Sequence, residues 1–297
     1  TGGGFSRISV NPSLSIIYKL NYAWRFTAHA SYKERYGEMT DLYDRPYQTD
    51  YRNSVWNCGI LPVYRQQLYS VYGEYKNTAR EFFATVNLTH NREWYNRIYE
   101  QRIENGQVQR VSLPLSNHGS GYTVKSTLSK GFYELGLKTS FLVLLNISKA
   151  EQISGGQRLP YQYRLMRLEP KVIWTPNRHW ETSYQTDIRY GGNKIGERTR
   201  LAPLWNVTQQ VQLSYIFSPI EASLSVDHYH NDVNEDQSVN AVFADFSVSW
   251  KSGRWQITTT ATNLFDKRTY AYTQYASLES YTSWVRIRPR EFLVAIR

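Results

Sequence analysis

The sequence predicts an all-β protein, a transmembrane antiparallel β-barrel made of long hairpins. Three observations predict this fold. Apolar and polar residues alternate with a period of two along much of the 297-residue chain. Charged residues keep to one of the two registers that this alternation defines. Aromatic residues, 15% of the chain, gather where strands meet short turns, as they do at the interfaces of a membrane barrel.

The first three hairpins have apolar residues at every second position on either side of a short polar turn. The turns are predicted near 19–21, 76–79 and 130–132. Alternation on both sides of such a turn is typical of antiparallel strands with one apolar face. Aromatic residues flank these turns, and we expect them to lie in a girdle at the membrane interface: Tyr18, Tyr22, Tyr75 and Tyr133.

The next three hairpins turn near 175–178, 218–219 and 251–254. In the last of them the apolar positions end on a tryptophan on each side of Lys251-Ser252-Gly253-Arg254. Tryptophan favours the headgroup level of a bilayer, because its ring is apolar and its N–H is polar. The predicted girdle therefore continues through Trp174, Trp180, Phe217, Trp250 and Trp255.

Charge is sorted by register along these hairpins. None of the positions assigned to the outward, apolar register is Asp, Glu, Lys or Arg. A charged side chain facing lipid costs about 2–4 kcal/mol at the bilayer midplane. The pattern therefore predicts one lipid face and one wet face. The opposite register holds Arg25, His29, Glu74, Asn87, Lys125, Glu134, Lys138, Glu169, Lys171, Glu181, Asp187, Arg189, Glu221, Asp227 and Asp245.

The connections alternate in length, which predicts the orientation of the barrel. Outer-membrane barrels have short periplasmic turns and long extracellular loops. Six hairpins and a last strand give about thirteen strands, whereas bacterial single-chain barrels normally close with an even number. We expect residues 1–297 to form one partial barrel domain, with preceding strands absent. The longer polar segments lie near 36–63, 94–118, 149–160, 191–203, 231–237 and 267–282.

A soluble β-sandwich also alternates, but its apolar face must be buried against a second sheet and its strands are usually about 5–6 residues long. Several strands predicted here run past ten residues, with aromatic residues concentrated at the turn ends. The sequence therefore favours the barrel.

Composition argues against several other classes. The longest apolar run, 141–145, is far short of the roughly 20 residues of a membrane helix. The formal charge of +10 is spread along the chain, without a basic helix or a nucleic-acid module. A single cysteine, Cys58, excludes an internal disulfide, and His228 and His230 alternate away from Asp227. We predict no bound nucleic acid, metal or cofactor, and no catalytic residues.

Two C-terminal segments carry a family resemblance. Asn263-Leu264-Phe265-Asp266-Lys267 and the closing Arg288-Pro289-Arg290-Glu291-Phe292 resemble the penultimate and final strands of TonB-dependent outer-membrane receptors. The segments 65–75 and 124–132 look like the branch with a carboxypeptidase-regulatory-like N-terminal domain, which includes the SusC-like transporters. The sequence departs from this family by lacking a plug and a TonB box, and by ending on Arg297 where an aromatic residue is usual.

The resemblance implies an outer-membrane transporter of a Gram-negative cell, with a barrel of about 22 strands around a plug. It implies energy coupling through TonB, contact with outer-membrane lipids, a surface lipoprotein partner, and import of a small molecule, glycan or peptide. A passive porin-like barrel is the alternative. The register also places Arg288 and Arg290 outward, which suits only the headgroup boundary or a bulge at Pro289.

Two long loops hold the candidate ligand-binding residues. Aromatic planes beside charged hydrogen-bonding groups suit a sugar, a peptide or a siderophore. Each loop also has an interpretation that involves no ligand. The tyrosines of 36–63 could pack that loop onto itself, and 267–284 could extend its strands above the membrane. The candidates are Tyr43, Tyr47, Tyr51 and Trp56 in the first loop, and Tyr272 and Tyr275 in the second.

Overall fold

The computed structural model describes residues 8–104, 107–196, 199–200, 202–234, 236–276 and 279–297. Nearly all of its regular structure is strand, with two short 3-10 helices at Met39–Leu42 and Tyr133–Leu135. The strands are β1 (Ser13–Lys19), β2 (Trp24–Tyr36), β3 (Tyr47–Gln48), β4 (Asn53–Trp56), β5 (Val63–Asn77), β6 (Phe82–Tyr95), β7 (Ile98–Glu104), β8 (Gln107–Leu113), β9 (Asn117–Phe132), β10 (Leu137–Ser154), β11 (Gln157–Asn177), β12 (Trp180–Ile195), β13 (Thr199–Arg200), β14 (Leu204–Phe217), β15 (Ile220–Asp232), β16 (Ser238–Ser252), β17 (Trp255–Thr262), β18 (Thr269–Ala276), β19 (Glu279–Arg286) and β20 (Glu291–Ile296).

Thirteen of the described strands form one continuous antiparallel wall, which confirms the predicted fold class and strand number. Each strand of the wall pairs with its neighbours in chain order, β1-β2-β5-β6-β9-β10-β11-β12-β14-β15-β16-β17-β20. Within the described residues, β1 pairs only with β2 and β20 only with β17. The wall therefore has two open edges.

The register keeps the apolar positions on one face across the whole wall. One row, for example, runs through Phe26, Gly73, Val86, Ser126 and Val143 on five neighbouring strands. We call this the apolar face and the opposite one the polar face. Many large apolar side chains of the apolar face are exposed, and no second described sheet covers them. This arrangement is that of a barrel wall and differs from that of a sandwich.

The segment 149–160 differs from the prediction. It was expected to be a loop, but β10 and β11 continue through it in register, from Lys149 opposite Gln162 to Ser154 opposite Gln157. The tight turn is possible because Gly155 and Gly156 adopt φ values of 57° and 75°, which glycine reaches without steric cost. These residues are polar because they form an exposed extension of two strands.

The turn between β9 and β10 also differs from the prediction. Tyr133 and Leu135 lie in a 3-10 helix instead of on a strand. Gly136 has a φ of 58°, and a Cβ there would lie 2.0 Å from the carbonyl oxygen of Thr175. Only glycine fits this close approach, which lets the N–H of Thr175 donate to the carbonyl of Gly136.

The long connections carry the remaining seven described strands. The β7–β8 hairpin pairs in parallel with β4 through β8 and with β10 through β7. The β18–β19 hairpin forms a separate two-stranded sheet. These additions lie at the end of the wall opposite the short turns. The described residues include no helix long and apolar enough to cross a bilayer.

Candidate functional site

The β18–β19 hairpin is packed against the polar face of the wall. Its Ala271 and Thr273 are 0% and 1% exposed. The side-chain amide of Asn231 on β15 donates to the carbonyl of Ala271 at 3.2 Å. The ring of Tyr229 meets the ring of Tyr270 edge-on, with centroids 5.2 Å apart. The hairpin therefore covers part of the polar face instead of extending its strands outward.

A cavity of about 500 Å³ lies between this hairpin and the polar face. We call it the hairpin cavity. Side chains of β10, β11, β12, β14 and β15 form one side, and β18 forms the other. Its lining includes Leu144, Tyr163, Arg167, Asp187, Arg189, Asn206, Tyr270 and Tyr272.

A charged network forms one wall of the hairpin cavity. Asp187 accepts two hydrogen bonds of 3.0 Å from Arg167 and one of 2.6 Å from Arg189. Arg167 also forms an ion pair with Glu169. Charge-assisted bonds with this geometry fix the guanidinium planes. The cavity therefore presents rigid donors to whatever enters it.

Asn206 adds an unsatisfied acceptor to the same cavity. Its side-chain oxygen is buried and has no hydrogen-bond partner among the described residues. In the register Asn206 lies opposite Arg189 on one side and Asn231 on the other. Buried polar atoms are nearly always paired, so this oxygen suits a hydroxyl or amide donor from a ligand or a water.

A second cavity, of about 920 Å³, lies beneath the β3–β4 and β7–β8 hairpins. We call it the loop cavity. Two guanidinium groups lie near the ring of Tyr99, that of Arg110 at 3.7 Å and that of Arg97 at 5.0 Å from the ring centroid. Arg97 pairs with Asp41 at 3.0 Å. These contacts hold an aromatic ring and two cations at the cavity wall, an arrangement that suits a planar or anionic group.

The Glu93 carboxylate lines the loop cavity and accepts hydrogen bonds from uncharged side chains. Burial, followed by the nearby Glu93 carboxylate, raises the pKa of Tyr64 to about 12 and raises that of Tyr95 as well. Both tyrosines lie at the loop-side ends of their strands. The carboxylate accepts hydrogen bonds from Tyr64 at 3.1 Å, Gln66 at 3.1 Å, Asn91 at 2.9 Å and Tyr95 at 2.9 Å.

Gly119 and Gly121 leave room for this group. They lie directly opposite Glu93 and Asn91 on the neighbouring strand. A Cβ at Gly121 would lie 2.4 Å from the side-chain oxygen of Asn91. Glycine at this position therefore lets Asn91 lie flat along the wall toward Glu93.

Four of the predicted ligand-binding residues lie in the first loop, and they do not line the loop cavity. Tyr43 and Tyr47 meet edge-on at 6.1 Å, and Trp56 donates from its ring N–H to the carbonyl of Asp44 at 2.8 Å. Tyr51 is 78% exposed. The neighbours of these aromatics, including Thr49, Asp50 and Val55, line the loop cavity in their place.

In the second loop, Tyr272 lines the hairpin cavity, and the side chain of Tyr275 lies outside the described part of the chain.

Sequence reasoning missed Tyr99, Arg97 and Arg110. The dipeptide Asn105-Gly106 between two alternating runs is a strong hairpin signal that would have placed Tyr99 and Arg110 on paired strands, with Arg97 just before the first of them.

The predicted girdle residues lie around the short turns. The rings of Trp24 and Tyr75 are 4.7 Å apart, and those of Trp180 and Tyr215 are 4.6 Å apart. In both cases the two residues are direct cross-strand neighbours. Tyr75 is half-buried, and the other girdle residues are exposed: Tyr18, Tyr22, Tyr133, Trp174, Trp180, Phe217, Trp250 and Trp255.

The two C-terminal sequence motifs are joined in the structure. Asn263, with a φ of 50°, accepts from the N–H of Lys267 at 3.0 Å and donates to its carbonyl at 2.8 Å. The N–H of Arg290 donates to Asp266 at 3.0 Å. Arg288 and Arg290 precede β20, which begins at Glu291. They therefore lie in the connection that leads into the last strand and not on the strand itself.

Within the described chain, no group of three or more His, Cys, Asp and Glu residues is arranged to hold a metal ion. His230 instead contacts Asn240 at 2.8 Å and Asp232 at 3.4 Å.

Comparison with known proteins gives the following similarities. The chain resembles P. aeruginosa FpvA bound to heterologous pyoverdines, with 10% identity over 96% of this chain and 44% of that one and a TM-score of 0.49. It resembles the ferric yersiniabactin uptake receptor FyuA from Yersinia pestis, with 6% identity over 96% and 47% and a TM-score of 0.47. It also resembles the siderophore receptor PirA from Acinetobacter baumannii, with 8% identity over 85% and 52% and a TM-score of 0.42. No family model and no curated protein matches the chain. The chain spans about half the length of these three structures.

Proposed function

We propose that this chain is the C-terminal barrel wall of a TonB-dependent transporter in the outer membrane of a Gram-negative cell. The observation that carries the proposal is the two-faced wall of thirteen described strands, with exposed apolar side chains on one face and charged ones on the other. In a bilayer the apolar face meets hydrocarbon, and the aromatic residues at the short turns lie at the periplasmic interface.

Ligand capture takes place on the polar face, at the extracellular end. The hairpin cavity and the loop cavity both lie on the side of the long connections. Their arginines, tyrosines and unsatisfied Asn206 oxygen suit a polar ligand of the small-molecule, glycan or peptide class. Binding and passage need no covalent step, so the protein acts as a transporter and is not an enzyme.

The partners follow from the same proposal. The two open edges of the wall are completed by further strands, which close a barrel around a plug. The plug carries the contact to TonB, which supplies energy for import. The resemblance to the SusC-like branch adds a surface lipoprotein over the extracellular end.

Planar-bilayer conductance and TonB binding of the full-length protein test this proposal against a passive porin-like channel. A plugged, energy-coupled transporter has no steady open conductance and binds the purified periplasmic domain of TonB. Steady ohmic conductance without TonB binding would favour the passive channel and overturn the proposal.

A further inference from the structure

A row of basic residues crosses the apolar face at its extracellular end. Arg92 on β6 lies opposite Ser120, which lies opposite Lys149 on β10. Lys149 lies opposite Gln162, which lies opposite Lys194 on β12. Every second strand thus contributes a cation. Because neighbouring strands are about 4.8 Å apart, the cations repeat at about 10 Å.

The basic row borders the apolar part of the face. Two residues closer to the short turns, the aromatic residues Tyr69, His90 and Tyr122 form the next row. Their rings are stacked, with centroids 6.4 Å apart for Tyr69 and His90 and 4.2 Å apart for His90 and Tyr122. Stacked aromatic residues next to a cationic row are the order expected where hydrocarbon gives way to headgroups.

A groove of about 510 Å³ runs along this row. Arg92, Lys149 and Lys194 line it, together with Trp94 and His118 one row further out. The lining also includes Glu93 and Glu151. Glu151 is paired with Arg158 at 2.8 Å, and Glu93 accepts hydrogen bonds from four neutral side chains.

The three cations have no ion-pair partner among the described residues. Nearby basic residues differ in this respect, since Arg65 pairs with Glu34 at 3.1 Å and Arg158 with Glu151 at 2.8 Å. The charge of the row is therefore not neutralised by an ion pair within the described part of the chain.

We propose that this groove binds the phosphate groups of a phosphorylated lipid in the outer leaflet. Ammonium and guanidinium groups donate charge-assisted hydrogen bonds to phosphate oxygens. The acyl chains of the same lipid lie along the apolar face below the aromatic row. The inference rests on the proposed function, because it requires the apolar face to be in a bilayer.

Native mass spectrometry of the full-length protein with added lipid A tests the inference. The triple variant Arg92→Gln, Lys149→Gln, Lys194→Gln removes the row. The matched control Lys125→Gln, Lys138→Gln, Lys171→Gln removes the same charge from the polar face. We expect the row variant to bind lipid A about tenfold more weakly or worse, because each cation near an anionic headgroup contributes several-fold. The control should bind like the wild type.

Equal binding by the row variant and the control would overturn the inference, as would full displacement of lipid A by inorganic phosphate, which would show a general anion site. If the triple variant does not fold, the double variant Lys149→Arg, Lys194→Arg replaces it in the test. This variant keeps the positive charges and should still bind lipid A. Carbonate extraction of the wild type separates the two proposals, since release from the membrane refutes the transporter itself, whereas retention with unchanged lipid binding refutes only the lipid site.

Discussion

The side-chain amide of Asn263 donates a hydrogen bond of 2.9 Å to the carbonyl oxygen of Arg288. This bond joins the end of β17 to the segment just before β20, so the last two strands of the wall are tied at their loop-side ends. The backbone N–H of Asn263 in turn donates to Asp245 on β16 at 2.7 Å. One residue therefore connects the last three strands.

Asn263→Ala should destabilise the folded protein by about 2 kcal/mol or more. The residue is 6% exposed, and its loss removes the hydrogen bonds to the carbonyl oxygens of Lys267 and Arg288, which are partly buried. Alanine also fits the left-handed backbone less well than asparagine. The midpoint of heat-induced mobility shift on gels measures the effect. Asn263→Gly removes the side chain but suits the left-handed backbone, so its midpoint should lie between those of the wild type and the alanine variant. An unchanged midpoint for the alanine variant would contradict this role.

Acid should weaken the attachment of the β7–β8 hairpin to the end of the wall opposite the short turns. Glu100 accepts from Arg102 at 2.7 Å and from the N–H of Gly156 at 3.0 Å. These donors hold the pKa of Glu100 below its usual value. A lowered folded pKa gives stability that is present above the unfolded pKa and is lost as the pH falls through the folded pKa.

The protection factors of the amides of residues 98–104, in which the intrinsic pH dependence of exchange is divided out, should therefore fall below about pH 4.3. In Glu100→Gln the same residues should exchange faster at neutral pH and show little further change with acid. Identical pH profiles for the two proteins would contradict the role of this carboxylate.

Asp187→Asn should cost about 2 kcal/mol, because Arg167 and Arg189 face each other across the register and lose their shared carboxylate. Both guanidiniums are partly exposed, so water limits the penalty. Denaturant unfolding in detergent measures it. The double variant Asp187→Asn, Arg189→Gln should recover part of the loss, since Arg167 keeps its ion pair with Glu169 and the charge of Arg189, which has lost its carboxylate, is removed. A double variant less stable than Asp187→Asn would argue against charge repulsion.

The two ends of the wall should be labelled from opposite sides of the membrane. In a Cys58→Ser background, Gln157→Cys in the β10–β11 turn should react with an impermeant maleimide on intact cells. Ser252→Cys in the β16–β17 turn should react only after the outer membrane is permeabilised. Both positions are exposed, so labelling reports topology. The reverse pattern would invert the orientation.

The alternation predicted the wall well because each strand has one apolar and one polar face, which is a local property of the sequence. Tyr18, Phe26 and Gly73 were placed on the same face, and the register aligns them. The additions to the wall were harder to predict. The packing of Ala271 on Asn231 joins residues forty positions apart, and no local pattern reports such a contact. The hairpin cavity depends on this contact, so only part of its lining was anticipated.

The single-parity register of the wall also determines how its length can change. One residue inserted between Val124 and Lys125 would turn Lys125 toward the apolar face and every later apolar side chain of β9 toward the polar face. Two inserted residues would restore the faces and merely lengthen the strand. The strands should therefore tolerate growth in steps of two residues, whereas the connections accept any number. Divergence among proteins built this way should accumulate in the long connections and leave the paired strands of the wall uniform.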